Sequence, residues 1–194
     1  MNKQDVIQFF DRLAPSWDSD MIRSDRKIGM ILDNARVRPG SHVLDVACGT
    51  GVLIPDYLQR QVASVTAVDI SPQMVKIAQS KFPQDNVTIL CADVETASFS
   101  RQFDCIMIYN AFPHFPEPEE LIRTLTSHLA PGGTLTIAHG MSRHEIDHHH
   151  EGPASKVSIG LMHENALAGM MRKYLQVTVK ISNDEMYQVT GTKA

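Results

Sequence analysis

The 194-residue chain is poor in cysteine, in excess positive charge and in long apolar runs, and each shortage argues against a class of protein. Cysteine occurs three times, at Cys48, Cys91 and Cys105. An odd count without Cys-x-x-Cys spacing argues against a disulfide framework or a zinc knuckle. Lys and Arg number 18 against 22 Asp and Glu, a formal net charge of −4, with no basic cluster. Phosphate neutralisation needs such a cluster, so nucleic acid is not an expected partner. No run approaches the ~18 apolar residues of a membrane span, and the opening Met1-Asn2-Lys3-Gln4-Asp5 has no apolar signal region. No membrane association is therefore expected, and the cytoplasm is the expected compartment. What remains, 43% hydrophobic and 21% charged residues, is the composition of a globular protein with a real core.

The most informative stretch is Val43-Leu44-Asp45-Val46-Ala47-Cys48-Gly49-Thr50-Gly51-Val52-Leu53. An apolar strand with a carboxylate near its end runs into a glycine turn and then a helical pattern. Glycine lets backbone N–H groups approach a ligand that a Cβ would hold away. The helix start adds unpaired N–H groups and a positive dipole end. The turn lacks the Lys-Ser/Thr of a phosphate-cradling loop, and Ile54 stands where a full G-x-G-x-x-G pattern has its third glycine. A lone Gly-x-Gly is common, so its context decides its meaning.

That context is an alternation of strands and helices. Helical spacing is predicted over 3–13, 24–35, 51–60, the segment after Ser71-Pro72, 117–129 and 162–173. Strands are predicted at 42–46, 64–69, 87–91, 103–109 and 134–138, the last launched by Pro131-Gly132-Gly133. Two alternating strands, 177–181 and 186–190, close the chain as an antiparallel hairpin on one sheet edge. Strands separated by helices of this length give right-handed crossovers and a doubly wound, mostly parallel α/β sheet. Residues 1–194 read as one domain, because no repeat, linker or composition break interrupts them. Ligands of such sheets bind beyond the carboxyl ends of the strands. Asp69 ends the second strand, where a carboxylate can accept both hydroxyls of a ribose; its alternative role is a helix cap. Cys91-Ala92-Asp93-Val94 ends the third, where a carboxylate and a small apolar group could meet an adenine, or simply face solvent.

In this order the motifs resemble those of the class I S-adenosylmethionine-dependent methyltransferases, over nearly the whole chain. Val43–Leu53 resembles the family's first motif, Val68-Asp69-Ile70-Ser71 its ribose-binding motif and Ala92-Asp93-Val94 its adenine-side motif. Leu129-Ala130-Pro131-Gly132-Gly133 resembles the turn before the fifth strand. The opening Phe9-Phe10-Asp11-Arg12-Leu13-Ala14-Pro15-Ser16-Trp17-Asp18 is similar to the N-terminal cap of quinone-biosynthesis-type members, which closes over the cofactor. The resemblance implies a Rossmann-like, seven-stranded methyltransferase sheet with an antiparallel edge hairpin and an N-terminal helical cap. It divides the chain into a cap (1–36), a cofactor-binding core (37–139), a His-rich lid (140–160) and a C-terminal helix and hairpin (161–194). It also implies S-adenosylmethionine as cofactor and methyl transfer to a small-molecule acceptor. Asp45, Ala47, Gly49, Thr50, Gly51, Asp69, Ile70, Met74, Asp93, Val94 and Asn110 would form the cofactor site. Gly49 and Gly51 would hold the methionine portion with Asp45 near its amino group, Asp69 the ribose and Asp93 the adenine amino group.

The acceptor side departs from a generic member. Six of the nine histidines lie between positions 139 and 163, and His114 belongs to a neighbouring strand end. Ser142 and Glu145 have capping-box spacing, so a short helix is expected over 143–150. Three readings compete for these histidines. They are a solvated, titratable lid; or His114 or His139 is a general base; or several bind a divalent transition metal. In the metal reading His114, His139 and His150 are the ligands, His148 next, with Asp147 or Glu151 converging on them.

His144-Glu145-Ile146-Asp147-His148 matches the zinc-protease pattern H-E-x-x-H, but its helix is short and follows a complete nucleoside-binding core, so that reading is set aside. Asn110-Ala111-Phe112-Pro113 is not the adenine-amino methylation motif of DNA methyltransferases. The alternative to an enzyme is a metal- or ligand-binding regulatory protein on the same scaffold.

Overall fold

The computed structural model describes residues 1–149 and 152–194. The N-terminal segment forms α1 (Lys3–Leu13), capped by Asn2, whose side chain accepts from the Gln4 N–H at 2.9 Å. A 3-10 turn at Ala14–Ser16 leads into the short α2 (Trp17–Asp20) and then α3 (Asp25–Asn34), which buries Ile28, Ile31 and Leu32. The alternating core follows: β1 (His42–Val46), α4 (Ile54–Gln59), β2 (Ser64–Asp69), α5 (Pro72–Lys81), β3 (Val87–Cys91) and β4 (Phe103–Tyr109). Beyond it lie α6 (Pro118–Ser127), β5 (Leu129–His139), α7 (Arg143–His149), α8 (Glu164–Met171), β6 (Gln176–Ser182) and β7 (Tyr187–Thr192).

All seven strands join one sheet in the order β3-β2-β1-β4-β5-β7-β6, parallel up to β5 and antiparallel from β5 to β7 to β6. The strand order reverses beside β1, so the carboxyl ends of β1 and β4 open a crevice between them. Helices cover both faces. One apolar cluster packs α6 and α8 residues such as Leu121, Leu125 and Leu167 on Ile106, Ile108 and Ile137. The other packs α3 and α4 residues such as Ile31 and Ile54 on Val43, Val65 and Met107. No helix among the described residues is long and apolar enough to cross a membrane.

The closing strands pair as a hairpin, but β7 lies between β5 and the edge strand β6. Strand β5 begins five residues before its predicted start: Leu129 pairs with Phe103, and the register shifts before Cys105 meets Thr134. The Pro131-Gly132-Gly133 turn is therefore an irregularity within a strand, with Gly132 at φ +76°. Helix α4 is shorter than predicted, since Gly51 at φ +87° delays the first helical turn to Ile54.

Candidate functional site

The strand-end residues surround a cleft of about 1120 Å³, counting its open mouth. Its floor comes from the turn after β1 (Ala47, Cys48, Gly49), the end of β2 (Asp69, Ile70) and Met74 of α5. One wall is the loop after β3, with Asp93, Val94 and Glu95; another follows β4, with Asn110 and His114. The N-terminal segment forms the roof through Lys3, Phe10, Trp17 and the stretch 21–23. Three residues of the floor and walls have left-handed backbone: Ala47 (φ 53°), Gly49 (φ 55°) and Asn110 (φ 55°). For Ala and Asn that conformation is strained, and such strain gathers at functional sites. The Asn110 side chain is held by accepting from the Gly140 N–H at 3.0 Å.

Asp69 ties the floor together. Its Oδ2 accepts from the Gly49 N–H at 2.8 Å and its Oδ1 from the Ser71 N–H at 2.9 Å. Burial pushes this carboxyl up, while those backbone N–H groups work against the shift. The helix cap of α5 is Ser71, whose hydroxyl accepts from the Met74 N–H, so Asp69 is not the capping residue. Asp45 lies beneath the cleft rather than in its lining and is 2% exposed. Burial, reinforced by the Asp69 charge, pushes its carboxyl up to about 8. The buried Tyr57 hydroxyl pulls the other way, although no hydrogen bond of acceptable geometry joins the pair. Asp45 Oδ2 thus makes no hydrogen bond among the described residues. A buried acceptor without a partner, one layer under a glycine turn, suits a ligand bearing an ammonium group.

The roof is fastened at separate points. Lys3 pairs with Asp93 and Glu95. The Ser71 hydroxyl and the Gln73 N–H both donate to Asp11 Oδ1. The Thr50 hydroxyl donates to Asp18 Oδ1, and Lys81 lies 2.7 Å from Asp18 Oδ2. Burial would raise the Asp18 carboxyl, but the bonds from Lys81 and Thr50 outweigh it and leave it lowered. Trp17 Nε1 stands 3.8 Å from where a Cβ on Gly49 would be, so the indole overlies the glycine turn.

Of the residues expected at the cofactor site, Ala47, Gly49, Asp69, Ile70, Met74, Asp93, Val94 and Asn110 meet in the cleft. Thr50 and Gly51 do not line it: the Thr50 hydroxyl is engaged by Asp18, and Gly51 is packed against Phe82 and Ile54. Among the described histidines only His114 reaches the cleft. It sits on a 3-10 turn (Phe112–His114), stacks edge-on with Phe10 at 4.9 Å and donates from Nδ1 to the Val157 carbonyl at 2.6 Å. His139 is turned away from the expected pocket: 1% exposed, it lies opposite Tyr187 across the β5–β7 pair, ring to ring at 6.1 Å.

The metal expectation finds no support among the described residues. No group of three or more His, Cys, Asp or Glu side chains suited to a metal converges among the described residues. His144 and His148 lie on the exposed side of α7, and Asp147 Oδ1 accepts from the Leu161 N–H at 3.0 Å. Ser142 and Glu145 make the expected capping box. His150 and Glu151 lie outside the described residues. Sequence reasoning did not place Lys3, Trp17, Ile22 or Arg23 at the site; only the resemblance of the opening segment to a closing cap pointed there.

Residues 43–133 match the family described as "Methyltransferase domain". The chain is 36% identical over 104 residues to the ubiquinone biosynthesis O-methyltransferase of Xanthomonas campestris pv. campestris, covering 52% of this chain and 43% of that one. It is 35% identical over 97 residues to the malonyl-acyl-carrier-protein O-methyltransferase of Priestia megaterium, covering 50% of this chain and 35% of that one. The match thus spans less than half the length of these two curated relatives. Among solved structures, the N-methyltransferase NodS from Bradyrhizobium japonicum, in complex with S-adenosyl-L-homocysteine, superposes with a TM-score of 0.76. That likeness, at 14% identity over 97% of this chain and 98% of that one, shows the shared fold.

Proposed function

We propose that this chain, which belongs to the class I S-adenosylmethionine-dependent methyltransferases, transfers a methyl group to a small-molecule acceptor held in the cleft under its N-terminal roof. The observation that carries the reading is the joining of three strand ends in one cleft: the strained Ala47–Gly49 turn over orphaned Asp45, Asp69 locked to that turn, and Asp93 beyond β3. When bound, the cofactor supplies an electrophilic methyl on a sulfonium whose leaving group is a neutral sulfide. The Gly49 turn and Asp45 would hold its methionine portion, Asp69 its ribose, and Asp93 with Val94 its adenine.

The chain's own work is alignment, exclusion of water and acceptance of a proton. The roof residues Phe10 and Trp17 cover part of the cleft. His114 is the proton acceptor. A carbonyl can only accept, so the contact to Val157 requires a proton on Nδ1 and makes Nε2 the basic atom of the neutral ring. His139, buried against Tyr187, is a structural residue in this reading. No step of this reading calls on a metal.

Calorimetric titration with S-adenosylmethionine tests the reading. Binding near one molecule per chain is expected, lost in Asp69→Ala. No binding would refute it in favour of a regulatory scaffold protein. His114→Gln should leave cofactor affinity within about threefold while lowering kcat by about a hundredfold or more.

A further inference from the structure

The charge inventory of the cleft points to the kind of acceptor it takes, an inference that rests on the methyl-transfer reading. Lys3 and Arg23 are the only Lys or Arg among the described residues lining the cleft, and both are already engaged. Lys3 Nζ lies 2.5 Å from Asp93 and 2.5 Å from Glu95. Arg23 donates from Nε to Asp25 at 2.8 Å and from Nη1 to the Val52 carbonyl at 2.7 Å. Its Nη2 reaches both oxygens of Asp56 at 2.8 Å. The carboxylates that line the space, on Asp69, Asp93 and Glu95, are engaged in turn: Asp69 accepts from backbone N–H groups, and Asp93 and Glu95 hold Lys3. A carboxylate or phosphate entering here would lose water and find no unshared Lys or Arg among the described residues.

Beside Tyr109, Asn110 and His114, much of the remaining lining is apolar: Phe10, Met21, Val52 and Phe115 face the same space. At its edge Ile22 is 87% exposed, next in sequence to Arg23. A lone exposed isoleucine is ordinary. This one continues an apolar lining out to solvent, as a threshold for apolar molecules would. We propose that the methyl acceptor is an uncharged, mainly apolar molecule that enters over Ile22 and packs against Phe10, Met21 and Val52.

The proposal is tested on the full chain saturated with S-adenosylhomocysteine. It is titrated with 4-butylphenol and, separately, with 4-(4-hydroxyphenyl)butanoate, which keeps the ring, hydroxyl and chain and adds one carboxylate. The phenol is expected to bind at least about tenfold more tightly, a difference of about 1.4 kcal/mol. Ile22→Lys, at an exposed position, should narrow that gap to about threefold or less. Asp56→Asn, which frees part of the Arg23 fork, should tighten the carboxylate probe several-fold. Equal or tighter binding of the carboxylate by the unaltered protein would overturn the proposal. So would failure of both probes while S-adenosylhomocysteine binds, which leaves the cofactor reading standing. Failure of S-adenosylhomocysteine itself would refute the methyl-transfer reading, and this inference with it.

Discussion

At the scale of single residues, Asp45 concentrates the tension between stability and ligand binding. Its carboxyl ionises near 3.8 when unfolded and is raised to about 8 by burial and the Asp69 charge. The folded chain therefore holds the proton more tightly than the unfolded one. The resulting contribution is fully present below about pH 4 and is lost as pH rises to about 8. Asp45→Asn should flatten this dependence, gaining on the order of a few kcal/mol at pH 8 relative to the unaltered protein. Thermal unfolding across pH 5–8 reads the effect; parallel curves for both proteins would contradict it. Because an ammonium group beside Asp45 favours its ionised form, cofactor uptake at pH 7 should release close to one proton. Titrations in buffers of different ionisation enthalpy measure that number, and zero would show that Asp45 keeps its proton in the complex.

At the scale of elements, the roof is fastened by contacts that are individually weak. Lys3, Asp11 and Asp18 are tied to three different loops, and the ion pairs involved are partly exposed. Exposed pairs contribute about 0–1 kcal/mol each, so the segment from α1 to α2 should open without global unfolding. Asp18→Ala, which removes the Thr50 and Lys81 contacts together, should speed amide exchange across residues 3–20 several-fold. The melting temperature should move by no more than about 2 °C, less than the shift expected for about 1 kcal/mol. Unchanged exchange would show that the roof is held by its apolar face instead. These elements also show what could be read beforehand. Strands β1 to β4 were legible because short apolar runs end at polar or glycine breaks. The start of β5 was not, because Leu129 continues the helical spacing of Leu121 and Leu125, and only pairing with Phe103 makes it a strand. The carboxylates at strand ends were legible by position. The histidines were harder to place, because density in sequence does not say which way a side chain points: His114 lines the cleft, His139 packs edge-on against Tyr187 and His148 lies on an exposed helix face. That Lys3 and Arg23 meet the cleft is a tertiary fact, with no local signal to announce it.

At the scale of the whole molecule, the sheet depends on β7. It is buried along most of its length, with Val189 and Thr190 fully enclosed, and it pairs on both sides. Its Gln188 also reaches into the cap, bonding the Asn34 side chain at 3.0 Å and the Ile31 carbonyl at 3.1 Å. A charge there has no partner and no water, so Val189→Asp should cost about 3–5 kcal/mol, or on the order of 10 °C in melting temperature. A loss below about 2 °C would mean that the hairpin is not part of the cooperative unit.

The placement of β7 also sets an order of events. Strand β6 comes first in sequence but touches the sheet only through β7, which is made after it. Strand β6 can therefore join the sheet only with β7, either after β7 has paired with β5 or as one arm of a hairpin already formed with it. Until β7 takes its place, the β5 edge presents a row of unpaired N–H and C=O groups, which is the kind of edge through which one chain pairs with another.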